Sequence, residues 1–219
     1  MWNDRLLGLS GILFAVLTFG GVTLGSGGIA GGETTTAEAA DWLADSGNRT
    51  LAIVGVYLLA AGAIAFAVFL AATTRRMRDA GASPLTVDLA RLFGGAFAVL
   101  QLAASAAFLA APLAIQFENE PLPADPGVAR LGTLGISLWL VPGMLAAASF
   151  VTTVAVSSFA SKVFPAWVAW TGLLCAAALL AAVVFLPAML LLLWTLAVSL
   201  VALVRGGSVA RTQPAGSLA

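Results

Sequence analysis

The chain contains no histidine, one cysteine and one tyrosine, and only 9% of its 219 residues are charged. Without histidine the commonest general base and a common metal ligand are missing, and no serine–histidine–aspartate triad can be assembled. Cys175 has no second cysteine to pair with, and among leucines and alanines it reads as a small buried apolar residue. A soluble domain carries about a quarter charged residues to wet its surface, so most of this surface must meet something other than water. The net charge of zero gives no electrostatic basis for a nucleic-acid partner. Walker A, G-x-S-x-G, H-E-x-x-H and CxxC motifs are all absent.

What is present is apolar: 61% hydrophobic residues and a mean hydropathy of +1.03. The runs are long, continuous and rich in alanine and leucine, whereas barrel strands alternate over short stretches. Helices are therefore the expected spanning element, each needing about 20 residues to cross about 30 Å of hydrocarbon. The sequence predicts an all-α polytopic membrane bundle, one domain over 1–205, with spans at about 6–24, 51–72, 92–115, 131–159, 166–184 and 188–204. A short flexible tail is expected over 206–219. The first run is longer than a leader's apolar core of about 7–15 residues, so a span is preferred to a cleaved leader.

Between spans one and two, Thr35 and Glu38 fit a capping box. A short amphipathic surface helix is expected there, over Thr36 to Asp45, ending at Gly47. Gly21 and Gly25 form a GxxxG pair that permits close helix contact, although a glycine-loosened exit from the bilayer is the preferred reading. The stretch 163–204 has no charge and would be about 60 Å long as one helix. It must fold back, and the turn is placed at Phe185–Ala188 around Pro187.

Eight of the ten basic residues fall on one side of this topology: Arg5, Arg75, Arg76, Arg78, Arg91, Lys162, Arg205 and Arg211. Arg49 and Arg130 lie opposite, with Glu33, Glu38, Asp41, Asp45, Glu118, Glu120 and Asp125. The excess of Lys and Arg marks the cytoplasmic side, so both termini are expected inside. Nine basic residues are Arg and alanine is abundant, a composition read as that of a GC-rich bacterial genome. The expected site is the bacterial cytoplasmic membrane.

No ionisable residue falls in the central part of a span, which argues against a buried proton relay. The polar residues at depth are Gln101, Ser105, Ser137, Ser149, Thr152 and Thr153. Hydroxyls bonded back to their own helices, with Gln101 bridging to a neighbour, are the preferred reading. The alternative is a site lined by Gln101, Ser105, Ser137, Trp139 and Pro142. Pro112, Pro142 and Pro187 either simply accumulate near helix ends or kink the outer halves of their helices and open it outward. Trp42, Trp167 and Trp170 are placed as interface anchors. The seven outer acids lack the spacing of a cation loop and read as a solvated face. No cofactor, metal or catalytic residue is expected.

The chain resembles a group of uncharacterised six-helix bacterial membrane proteins. The likeness rests on the polar segment after span one, the Arg75-Arg76-Met77-Arg78 exit of span two, the Phe164-Pro165-Ala166-Trp167-Val168-Ala169-Trp170 start of span five and the Trp194-to-Arg205 finish. It implies a fold and a location and no activity. The leading expectation is a non-catalytic protein binding membrane lipids or a helix-packing partner, which a second copy of the chain could supply. A small transporter with an outward cavity, and an enzyme using outer-loop carboxylates, are the alternatives.

Overall fold

A computed structural model of the chain describes residues 2–25, 41–117, 126–180 and 186–211. Its helices are α1 (Trp2–Gly25), α2 (Ser46–Asp79), α3 (Pro84–Phe117), α4 (Pro126–Leu138), α5 (Met144–Ser161), α6 (Ala166–Leu179) and α7 (Leu186–Arg211). A π-helical turn, Trp139–Gly143, joins α4 to α5. Among the described residues there is no strand. Four segments are long and apolar enough to cross a membrane: Asn3–Gly25, Ser46–Asp79, Pro84–Phe117 and Leu131–Ser161. The apolar segments Ala166–Leu179 and Ala188–Val204 are shorter. At 1.5 Å per residue α6 measures about 21 Å, short of the hydrocarbon thickness.

Several expected boundaries shift, each for a local reason. The Asp45 carboxylate accepts the Asn48 backbone N–H at 3.0 Å, capping α2 at its start. Gly47, read as a stop signal, therefore sits in the first turn of α2, which starts five residues ahead of the expected start of span two. At its other end α2 continues through Arg75–Arg78 to Asp79. Pro84 opens α3, where its missing N–H costs nothing, and the Ser83 hydroxyl accepts from Thr86 N at 3.2 Å. Leu186 and Pro187 lie in the first turn of α7, not in a bend. The connection from α6 falls on 181–185, outside the described residues. α7 runs on to Arg211, so 206–211 is helix where a tail was expected.

Pro142 was expected to kink the fourth span. A proline has no N–H to give and its ring crowds the preceding turn. The chain widens by one residue there, and Met144 N–H bonds back to Trp139 O across the π turn.

The helices form six rods among the described residues, α4 and α5 counting as one. Each packs against its chain neighbour, and α7 returns to pack on α1. Residue pairings run in opposite directions along successive rods. Thr18 meets Gly62 while Gly21 meets Gly55, and Gly8 meets Leu203 while Gly11 meets Ser199. An antiparallel ring results, with the start of α1 beside the end of α7. Its axis is filled by rings: Phe14 of α1, Phe66 of α2, Phe97 of α3, Phe150 of α5 and Trp194 of α7, all buried. Phe66 is central, with ring centroids 5.0 Å from Phe14, 4.8 Å from Phe97 and 5.5 Å from Phe150. The last two are edge-to-face, and such pairs contribute about 0.5–1.5 kcal/mol each beyond area burial. α6 supplies no ring but makes room for one: a β-carbon at Gly172 would lie 2.9 Å from the Trp194 indole nitrogen. That nitrogen donates to Val168 O at 3.2 Å.

Candidate functional site

Gln101 is the most buried amide among the described residues, 1% exposed where α1, α2 and α3 meet. Its Nε2 donates to Leu59 O of α2 at 3.0 Å and to the Thr18 hydroxyl of α1 at 3.3 Å. A flipped amide would set Oε1 against the Leu59 carbonyl, two acceptors face to face, so the orientation is fixed by chemistry. Its Oε1 is buried and accepts no hydrogen bond among the described residues. Gly62 makes the junction possible, since a β-carbon there would lie 2.6 Å from Thr18 Oγ1 and 3.4 Å from Gln101 Nε2. The Ser105 hydroxyl turns back to Gln101 O at 2.8 Å. This arrangement staples three helices, with the amide bridging to its neighbours as the preferred sequence reading had it.

The five candidate lining residues do not share one wall. Gln101 and Ser105 face the interior of α3, while Ser137 is exposed on α4 with its hydroxyl bonded to Thr133 O at 2.9 Å. Trp139 is buried in the π turn and Pro142 beside it is half-buried. That turn packs on α3, where a β-carbon at Gly143 would lie 4.0 Å from the Leu100 side chain.

A groove lies elsewhere, between α3, α5 and α6. It encloses about 470 Å³ and opens sideways to the exterior, lined by Phe93, Ser149, Thr152, Thr153, Leu173 and Ala177 among others. The Ser149 hydroxyl bonds to Leu145 O at 2.9 Å and that of Thr153 to Ser149 O at 2.8 Å. With those hydroxyls turned back on α5, the wall is mainly methyl and methylene.

The two ends of the ring are tied differently. At one, the Arg76 guanidinium meets the Asp4 carboxylate at 2.6 Å and lies 5.1 Å over the Phe164 ring. This draws α1, α2 and the α5–α6 corner together. At the other, Arg49 donates to Leu43 O at 2.7 Å, to Ala44 O at 2.8 Å and to Gln116 Oε1 at 3.0 Å. It holds the segment before α2 against α2 and α3. Of the expected surface helix, Asp41–Ala44 is helical and the rest lies outside the described residues.

Trp42 is half-buried, its carbonyl accepting from Asn48 Nδ2 at 3.1 Å. Trp167 and Trp170 are 52% and 61% exposed, and Trp170 packs edge-on against Phe159 at 5.2 Å. Of the seven outer acids, Asp41 and Asp45 are exposed and the other five lie outside the described residues. Among the described residues no three metal-ligating side chains converge.

Thr18 and Gly62 were missed in the sequence. The signal was the spacing: Gly11, Thr18 and Gly25 recur every seven residues on α1, as do Gly55 and Gly62 on α2, and residues seven apart share a helix face. Large apolar side chains cover the outside instead, including Leu9, Val16, Ile64, Val99, Leu174 and Leu193, all exposed. An apolar exterior of this extent is matched to lipid. Fold and surface together define a membrane-associated all-helical bundle. No known protein family, curated protein or solved structure matches the chain.

Proposed function

We propose that the protein crosses the bacterial cytoplasmic membrane six times, with both termini in the cytoplasm, and acts without catalysis by binding lipid or a membrane partner. The observation behind this reading is the filled axis. Phe14, Phe66, Phe97 and Phe150 occupy the space that a solute path through the ring would need, and each is at most 1% exposed. An open recess among the described residues lies between α3, α5 and α6, where acyl chains would reach it, and its wall is mostly apolar. Even crossing is supported by the antiparallel return of α7 to α1 and by the grouping of basic residues at that end.

The test is extraction with native lipids, followed by exchange into detergent and lipid analysis. Lipid retained in fixed ratio to protein is expected. Solute flux in reconstituted vesicles that scales with protein would overturn the reading in favour of a transporter. Orientation is checked separately: a cysteine at Ala44 should react with an impermeant thiol reagent from outside, and one at Ser83 only after permeabilisation. The reverse pattern would invert the topology.

A further inference from the structure

Two corners at the basic end leave the right-handed backbone region. In the α2–α3 turn the residue is Gly81, with φ +78°, the usual solution because glycine has no β-carbon to clash. At the end of α5 it is Lys162, with φ +54°. Helices that close on a left-handed residue mostly place glycine there, and a long side chain in that position is held against a steric penalty. Lys162 is also the chain's single lysine.

The corner around it is firmly built. Lys162 N–H bonds to Ser158 O at 3.0 Å, and the next two residues, Val163 and Phe164, are buried. Phe164 lies under Arg76, which is paired with Asp4. The strained residue is thus fixed by its neighbours, while its own side chain stands exposed at the tip.

The surrounding charge has one dominant sign. Arg5, Arg75, Arg78 and Arg91 are exposed at the same end of the ring, and Arg75 and Arg78, three residues apart, share a face of α2. The described acids there are Asp4, which meets Arg76, Asp88, which meets Arg91 at 3.3 Å, and the exposed Asp79. A cationic collar beside apolar helix walls matches an anionic headgroup whose chains lie along those walls.

We infer that the basic end binds acidic phospholipid by its phosphate headgroup, with Lys162 as a direct contact kept at a left-handed position for that purpose. This rests on the membrane reading above and names the lipid class and the place. A net-anionic headgroup, its phosphate charge not offset by a choline, attached to acyl chains is the ligand. Free phosphate offers the same oxygens without the chains that hold them at the collar.

The experiment compares the protein in phosphatidylcholine discs, in the same discs carrying phosphatidylglycerol, and in phosphatidylcholine discs with added inorganic phosphate. Thermal unfolding and the amount of phosphatidylglycerol retained are read in each. The parent protein should be stabilised by phosphatidylglycerol and not by inorganic phosphate. One basic contact at an anionic surface corresponds to about a fivefold change in binding, so Lys162→Gln should weaken phosphatidylglycerol retention about fivefold. Lys162→Gly should separate the two roles of the position. It should raise the melting temperature in phosphatidylcholine by about 2–4 °C by relieving the backbone, yet lose the phosphatidylglycerol effect as the glutamine variant does.

Equal phosphatidylglycerol retention by parent and both variants would overturn the inference, as would equal stabilisation by inorganic phosphate. Failure of the underlying membrane reading looks different: the parent would then enter neither kind of disc.

Discussion

Two seams of this ring are lined with small residues and come out differently. Between α1 and α2, glycine faces glycine: a β-carbon at Gly21 would lie 2.6 Å from Gly55 O, and one at Gly55 would lie 2.5 Å from Gly25 N. The backbones themselves touch, so the pair read mainly as a loose exit from the bilayer is a contact surface. Between α3, α5 and α6 the small residues are Ala148, Ala176 and Ala177, and there a groove of about 470 Å³ remains. Its lining also includes the larger Phe93, Leu173 and Leu180. Small residues close a seam only when both partners are small at the same level. In lipid the difference matters, because helices are held by close packing and not by exclusion of water.

The largest expected effect breaks the closed seam. Alanine favours helix over glycine by about 1 kcal/mol, so Gly55→Ala would stabilise α2 if nothing stood in the way. Backbone atoms do stand in the way, and they cannot rotate aside. Overpacking of this kind costs about 1–3 kcal/mol, and a net loss of about 1–2 kcal/mol is expected from unfolding in mixed micelles. Gly20→Ala is the control one position from Gly21, because its nearest neighbour would be Leu58 Cδ1 at 3.7 Å. It should be neutral or stabilising. Equal behaviour of the two variants would mean that the seam is not in backbone contact.

A smaller effect is expected at the middle of the same seam. Gln101→Met keeps the volume and removes the bonds to Leu59 O and Thr18, but also removes the Oε1 left without a donor. Buried polar contacts between membrane helices average about 0.6 kcal/mol, so a loss under about 1 kcal/mol is expected. A loss above about 2 kcal/mol would show that Oε1 is satisfied by a group beyond the described residues, and the site would then deserve study as one that binds.

The fold was legible in the sequence wherever one residue decides a local outcome. Apolar run length gave the helices, Pro142 marked a distortion, and Arg76 lay at the end where charge counting put it, whereas α3 opens at Pro84, ahead of its apolar run. The helix ends were misjudged because polar residues were read as lying outside helices. Asp45 caps and Arg76 pairs with Asp4, so both ends of α2 extend past its apolar stretch. The candidate site was legible only in part. Gln101 stood out as the sole amide at depth, but its partners Thr18 and Gly62 come from other helices. Which faces meet depends on rotations that periodicity on one helix cannot supply. Ser137 was grouped with Gln101 by depth alone, and depth says nothing about which way a helix turns its side chain.

The open seam supplies the smallest expected change in stability and the sharpest separation of lipid from fold. Ala177 is exposed on the groove wall, so Ala177→Leu adds a side chain to empty space and buries no polar group. Exposed substitutions of this kind stay within about 0.5 kcal/mol, and unfolding in detergent should show no more than that. In native-lipid extracts the same variant should retain less lipid than the parent, because the added leucine occupies volume an acyl chain would fill. A loss above about 1 kcal/mol in detergent would mean that α3 and α6 close over the groove, and that the two seams differ less than their residues imply. Unchanged lipid with unchanged stability would keep the groove open but move the retained lipid to the basic end, where Lys162 and the arginines of α2 are the groups to test.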